Sequence, residues 1–282
     1  MNTLNMVKEG LRVAVTCRSL WLYGFFIGLG LALNKGHQGD HPAAAAASAG
    51  PQFSVAAIGL LVIGLLILLG AMAFMYFLSE GALIEGVKRL RTDRTPTVRE
   101  GWRDGLAHWG VLCRIAILYF ATSAASLLVL AAPAFIAMKF SGAALAITLA
   151  IPAAVIGVPW LVTLYIWQAF AARSAVLENR YARDAIGKAR LLLHGKVVHG
   201  LKLIVASILG QMVVALVGAI ALAAVTLVGV AALKIFGSTQ LPVPVIALGV
   251  TTLLPMVLII VAISGTTHSS IWTIGYLAQE QK

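Results

Sequence analysis

Six long runs of mostly apolar residues, at about 19–34, 54–79, 112–138, 143–171, 201–233 and 243–267, leave this chain few ways to fold in water. A helix of roughly 20 such residues spans the hydrocarbon core of a bilayer. The sixth run ends least cleanly, because its apolar character continues weakly through Ile271-Trp272-Thr273-Ile274. The chain is 60% hydrophobic and only 11% charged. A soluble domain is about 45–50% apolar and about 25% charged. A chain this apolar has too few polar groups to cover a water-facing surface, and a bilayer is its natural solvent. The expectation is an all-α, polytopic membrane protein in which residues 1–282 form a single transmembrane domain of six helices.

The 21 Lys and Arg residues are unevenly placed. Eighteen fall in the N-terminal segment, between runs two and three, between runs four and five, or at the C-terminus. Only Lys35, Lys139 and Lys234 fall on the opposite side. Basic residues collect in cytoplasmic loops. Both termini are therefore expected in the cytoplasm, with the chain crossing a bacterial inner membrane several times. The net charge of +11 has this topological explanation. Nucleic acid is excluded as a partner, because no recognisable binding fold fits between the runs. The basic start and first run loosely resemble a secretory leader, but Glu9 interrupts it and no good cleavage site directly follows Leu33. An uncleaved first span is expected. Cys17 and Cys113 lie beside basic segments, on the side where thiols stay reduced. Such a pair is neither a disulfide framework nor a metal site.

Three short segments share one order: basic, acidic, tiny, large apolar. They are Lys8-Glu9-Gly10-Leu11, Arg99-Glu100-Gly101-Trp102 and Arg183-Asp184-Ala185-Ile186, and each precedes two apolar runs. Ala82-Leu83-Ile84-Glu85, closing run two, resembles Ala175-Val176-Leu177-Glu178, closing run four. Pro159 and Pro255 hold comparable places in runs four and six. These correspondences predict three pseudo-repeats, at about 4–90, 95–178 and 179–278. Each would be a cytoplasmic interfacial amphipathic helix followed by a transmembrane hairpin.

The middle copy shows the logic. Thr97-Val98-Arg99-Glu100 is a capping box, with Pro96 before it. Val98, Trp102, Leu106 and Trp109 then share one face, opposite Arg99, Glu100, Arg103 and Asp104. Tryptophan belongs at the headgroup level. Each cation near an anionic surface contributes on the order of 1 kcal/mol. Arg99, Trp102, Arg103, Trp109, Arg183, Lys188 and Arg190 are the residues assigned to lipid or partner contact. Such a helix lies on the inner leaflet, packs beneath the bundle as a collar, or docks a partner.

Chemistry is harder to find. The central parts of the runs hold no Asp, Glu, Lys, Arg or His. That counts against an ion-coupled pump, a channel with a charged filter and an intramembrane hydrolase. Ser264 and His268, at the end of run six, read as an incidental pair. His37, Asp40 and His41, in the Gly/Ala/Pro-rich stretch 35–53, read as solvated side chains rather than metal ligands. Glu80, Glu85 and Glu178 lie at the inner rim beside cations, where ion pairs are expected. There is no Gly-rich phosphate loop, HExxH or Cys cluster. No catalytic residue, metal or cofactor is expected. Neutral polar side chains such as Gln168 and Gln211 remain, and in a bilayer these join helices by hydrogen bonds. Pro133, Pro152, Pro159 and Pro255 interrupt runs three, four and six. Together with Gln168 and Gln211 they mark either a solute path near the midplane or a set of packed kinks.

The segment Ala175–Val205, AVLENRYARDAIGKARLLLHGKVVHGLKLIV, resembles a signature of a broad bacterial group. That group includes the membrane domain attached to glycerophosphoryl diester phosphodiesterases and the YciC-like inner-membrane proteins. Ala82–Ile117 repeats the pattern, so the resemblance covers nearly the whole chain. It implies a six-span helical bundle. It transfers no catalytic residue, and residues 1–282 include no soluble phosphodiesterase domain to carry that activity. Two functions are expected in consequence. One is a non-catalytic accessory or scaffold of the envelope, whose basic cytoplasmic side meets anionic headgroups, a protein partner or a second copy of the chain. The other is a permease for a lipid or small apolar solute.

Overall fold

The computed structural model describes residues 3–35, 55–92, 94–140, 142–194, 197–236 and 243–280. Among these the chain is helices and turns only: α1 (Thr3–Thr16), α2 (Trp21–Lys35), α3 (Val55–Leu90), α4 (Val98–Phe140), α5 (Ala143–Leu177), α6 (Ala182–Leu193), α7 (Val197–Phe236) and α8 (Val243–Glu280). The stretch containing His37, Asp40 and His41, the turn residue Ser141 and residues 237–242 lie outside the described residues.

Five helices, α3, α4, α5, α7 and α8, are long and apolar enough to cross a membrane. The first predicted span is different. α2 has only 15 residues, and it reaches spanning length only together with α1, across a bend of 89°. The bend has a local cause. Cys17 takes the non-helical angles φ −106°, ψ 82°, and a single 3-10 turn, Arg18–Leu20, follows. Trp21 Nε1 donates to the Ala14 carbonyl at 2.6 Å, which satisfies one of the acceptors left open where α1 stops.

The capping box at Thr97 is formed: Glu100 N donates to Thr97 Oγ1 at 3.3 Å, and Thr97 N donates to Glu100 Oε2 at 2.9 Å. The helix it opens does not end where the amphipathic stretch does. No breaker intervenes, so α4 continues unbroken for 43 residues into the apolar run. α1 and α6, by contrast, are separate short helices. Pro133, Pro152, Pro159 and Pro255 all lie inside continuous helices.

α8 is the central element. α2 packs along it, α1 and α7 lie against it, and α3 and α5 touch it. α4 fills the space beside α3 and α5, and α6 covers the end of α5. Burial is concentrated where α1, α6 and the ends of the long helices that carry most cations meet, here called the basic end. In the most apolar window of α3 no residue is buried, whereas 39% of the corresponding window of α8 is. Away from the basic end, residues such as Leu66, Phe120, Val129 and Leu216 are exposed. Facing lipid costs them nothing.

Glycine sets the closest helix approaches. A Cβ on Gly265 of α8 would lie 1.9 Å from the carbonyl oxygen of Gly24 in α2. One on Gly105 of α4 would lie 2.4 Å from the Leu78 carbonyl oxygen in α3. Small residues one turn apart are also what the short amphipathic segments bury: Gly10 and Ala14, Gly101 and Gly105, Ala185 and Ala189. The tiny residue of each four-residue motif is therefore the packing residue. Val98, Trp102, Leu106 and Trp109, expected to be the working face, are each at least 40% exposed.

Candidate functional site

The C-terminal half of α8 contains Gly265-Thr-Thr-His-Ser-Ser270, an unusually polar stretch for the centre of a bundle, and all of it except His268 is buried. Two hydroxyls, one in this stretch and one just beyond it, are used locally. Thr266 Oγ1 donates to the Ala262 carbonyl at 2.8 Å, and Thr273 Oγ1 to that of Ser269 at 2.9 Å.

His268 is the polar junction. Ser207 Oγ lies 2.6 Å and Gln211 Nε2 3.0 Å from its Nδ1, both from α7. Tyr165 Oη, from α5, lies 3.4 Å from its Nε2. An amide N–H directed at Nδ1 makes that nitrogen the acceptor and places the ring proton on Nε2, toward Tyr165.

Beside it lies a buried ion pair. Arg173 Nη1 is 3.2 Å from Glu80 Oε1, with side chains only 4% and 15% exposed. The same nitrogen donates to the Ala169 carbonyl at 3.0 Å. The guanidinium lies 5.9 Å from the Trp272 ring centroid, within cation–π range. The sequence places Arg173 in a cytoplasmic connection and Glu80 at a rim. The structure differs because α5 stays helical to Leu177. That turns Arg173 inward, onto α3.

Between these groups is a cavity of about 60 Å³, lined by Tyr76, Glu80, Tyr165, Gln168, Arg173, His268, Ser269 and Trp272 together with apolar residues. Three buried atoms of its lining residues, Arg173 Nε, Ser269 Oγ and Trp272 Nε1, have no hydrogen-bond partner among the described residues. Among the lining residues Tyr165 is half-exposed and Gln168 half-buried. Of the residues assigned to a solute path, Gln168 and Gln211 are thus brought together around the chamber and His268. Pro133, Pro152, Pro159 and Pro255 are exposed on α4, α5 and α8 and do not line it.

Further ion pairs tie the helices together. Arg89 reaches Asp104 at 2.6 Å and Glu100 at 3.5 Å, tying α3 to α4. Arg91 reaches Glu9 on α1 at 3.3 Å. Glu178 accepts hydrogen bonds from Lys188, Tyr276 and, at 2.6 Å, Arg180, joining α5, α6 and α8. Burial raises the Glu178 carboxyl, but those three donors outweigh it and hold the group below its ordinary value. Burial likewise lowers Lys188, and its bonds to Glu178 and Glu280 outweigh that and hold it above. Of the residues assigned to lipid or partner, Lys188 is therefore engaged inside the bundle. Arg99, Trp102, Arg103, Trp109, Arg183 and Arg190 are exposed. Arg190 stacks on Trp167 at 5.4 Å and Trp109 meets Phe74 edge-on at 5.3 Å.

No group of three or more His, Cys, Asp or Glu placed to hold a metal ion occurs among the described residues. The chamber is hidden from sequence reading because its parts are far apart along the chain. The one available signal is the polar run in α8. Helices of this length and apolarity, joined around a polar interior, make the chain a multi-pass α-helical membrane protein. No protein-family model, curated protein or solved structure matches it.

Proposed function

We propose that this chain is a non-catalytic accessory or scaffold protein of a bacterial inner membrane. Its basic end faces the cytoplasm, both termini included, and holds anionic lipid headgroups or a partner bearing the same charge. One observation carries this reading. Seven acidic side chains, Glu9, Glu80, Glu85, Glu100, Asp104, Glu178 and Glu280, are consumed in ion pairs within the bundle. Arg12, Arg18, Arg99, Arg103, Arg183 and Lys202 stay exposed and have no ion pair among the described residues. The surface that remains is positive, and each cation near an anionic leaflet contributes about 1 kcal/mol. Three pseudo-repeats, each a short amphipathic segment and two spans, would place these cations at one depth.

The test is lipid analysis of the protein extracted with its native lipids, beside an unrelated six-span protein. Enrichment of anionic lipid is expected. It should fall toward the control when Arg99, Arg103, Arg183 and Arg190 are changed together to Gln. Bulk lipid composition around the wild type would refute the lipid reading.

A permease for a lipid or small apolar solute is the alternative, and one feature favours it. A groove of about 530 Å³ between α4 and α5 is walled by Leu130, Phe135, Met138, Gly157 and similar residues. Its walls match an acyl chain.

A further inference from the structure

The lining of the polar chamber is short of acceptors. Arg173 Nε, Trp272 Nε1 and Ser269 Oγ are donors, all on side chains at least nine-tenths buried, and none has a partner among the described residues. A buried donor without an acceptor costs about 1–3 kcal/mol. Three at one cavity call for an acceptor that enters it. The space, about 60 Å³, exceeds the roughly 10–15 Å³ that a water needs on the same measure, so it admits water or an anion of similar size.

Charge decides what an anion would need. The titratable groups facing the chamber are Tyr76 and Glu80 from α3, Tyr165 and Arg173 from α5, and His268 from α8. The α2 and α4 linings are apolar. With Glu80 ionised, Arg173 already has its counter-ion at 3.2 Å. An added anion would leave a net negative charge in a low-dielectric site, which is strongly unfavourable. The balance changes if Glu80 takes up a proton. Arg173 then keeps its charge and loses its counter-ion, while its Nε, Trp272 and Ser269 all offer hydrogens.

We propose that the chamber binds a small monovalent anion of about chloride size together with one proton, the proton residing on Glu80 and the anion replacing that carboxylate as counter-ion of Arg173. No covalent bond is made or broken apart from the O–H bond on Glu80. The proton comes from solvent. This inference does not depend on the lipid reading of the basic end.

The test is thermal unfolding of the purified full chain in detergent, titrated with chloride against gluconate at constant ionic strength. Wild type should show a saturable chloride-specific rise in Tm, with a chloride affinity that weakens as pH rises, by up to tenfold per pH unit. Glu80→Gln mimics the protonated carboxyl, so its chloride affinity should be higher than that of the wild type and should lose the wild type's decline with rising pH. Trp272→Phe and Ser269→Ala, which keep the charges and the approximate volume, should each weaken chloride about tenfold. Identical chloride and gluconate curves would overturn the proposal, leaving water as the occupant. So would a Glu80→Gln variant whose chloride dependence still follows pH as in the wild type.

Discussion

Gly265→Ala is the most direct test of how the bundle closes. Its added Cβ would lie 1.9 Å from the Gly24 carbonyl oxygen and 2.5 Å from the Gly28 nitrogen, backbone atoms with no rotamer to move. Close carbon–oxygen approaches across helices are about 3.3 Å or more. The two helices must therefore part by more than about 1 Å at this point. A gap of roughly 0.5–1 Å forfeits a quarter to a half of the dispersion energy of the atoms that face it. Overpacking of a tight core costs about 1–3 kcal/mol and sometimes more. The interface forced open is that of α2 with α8, the most extensive in the bundle. Lipid offers no hydrophobic force to close it again. The expected destabilisation is about 3 kcal/mol or more, read by SDS titration or thermal unfolding in detergent. Gly64→Ala is the matched control, because a Cβ there meets nothing within 4 Å. It should be neutral, or gain up to about 1 kcal/mol from helix propensity. A Gly265→Ala protein within about 0.5 kcal/mol of wild type would show that α2 and α8 do not pack at this point.

Two further outcomes follow from the polar groups. Arg173→Met should cost about 3–5 kcal/mol by stranding the Glu80 carboxylate, and adding Glu80→Gln should recover much of it; strictly additive losses in the double-mutant cycle would rule out the pair. The Glu178–Lys188 junction gives a pH dependence with a defined sign. Glu178 is held below its ordinary value, so its stabilisation is complete above 4.5 and is lost as pH falls through the depressed value. Lys188 is held above its ordinary value, so its share is complete below 10.5 and is lost as pH rises through the elevated value. Glu178→Gln should flatten the acid side of the stability profile, and a variant whose acid side keeps the wild-type slope would show that other carboxylates set it.

The long helices are legible because a bilayer imposes a local rule. Every residue in a span answers to the same solvent, so runs such as 112–138 announce themselves without knowledge of any partner. Two things escape that rule. Hydropathy does not register when a helix continues past its apolar run, as α5 does to Leu177 and α4 does back to Val98. Nor does it show which residues pack against the bundle. In the segment after Thr97 the large apolar residues are the conspicuous ones, but Gly101 and Gly105 allow the close approach and are the ones buried. Burial there depends on backbone proximity, which a glycine permits without signalling it.

The chamber escapes for a further reason. Glu80 and Arg173 belong to helices that the sequence ends at about those residues, and Ser207, Gln211 and His268 are separated by whole spans. Each alone has an ordinary explanation at a rim or in an interhelical hydrogen bond. Only their convergence gives them a common meaning. The polar run Thr266–Thr273 makes the same point in miniature: Thr266 and Thr273 spend their hydroxyls on their own helix, while His268, Ser269 and Trp272 line the cavity. A chain can thus keep the middle of its spans free of charge, as this one does, and still enclose an ion pair near their ends. Absence of ionisable residues from the apolar centre limits where chemistry sits in such a protein. It does not limit whether a charged site is built where the helices emerge, and Arg173 with Glu80 is such a site.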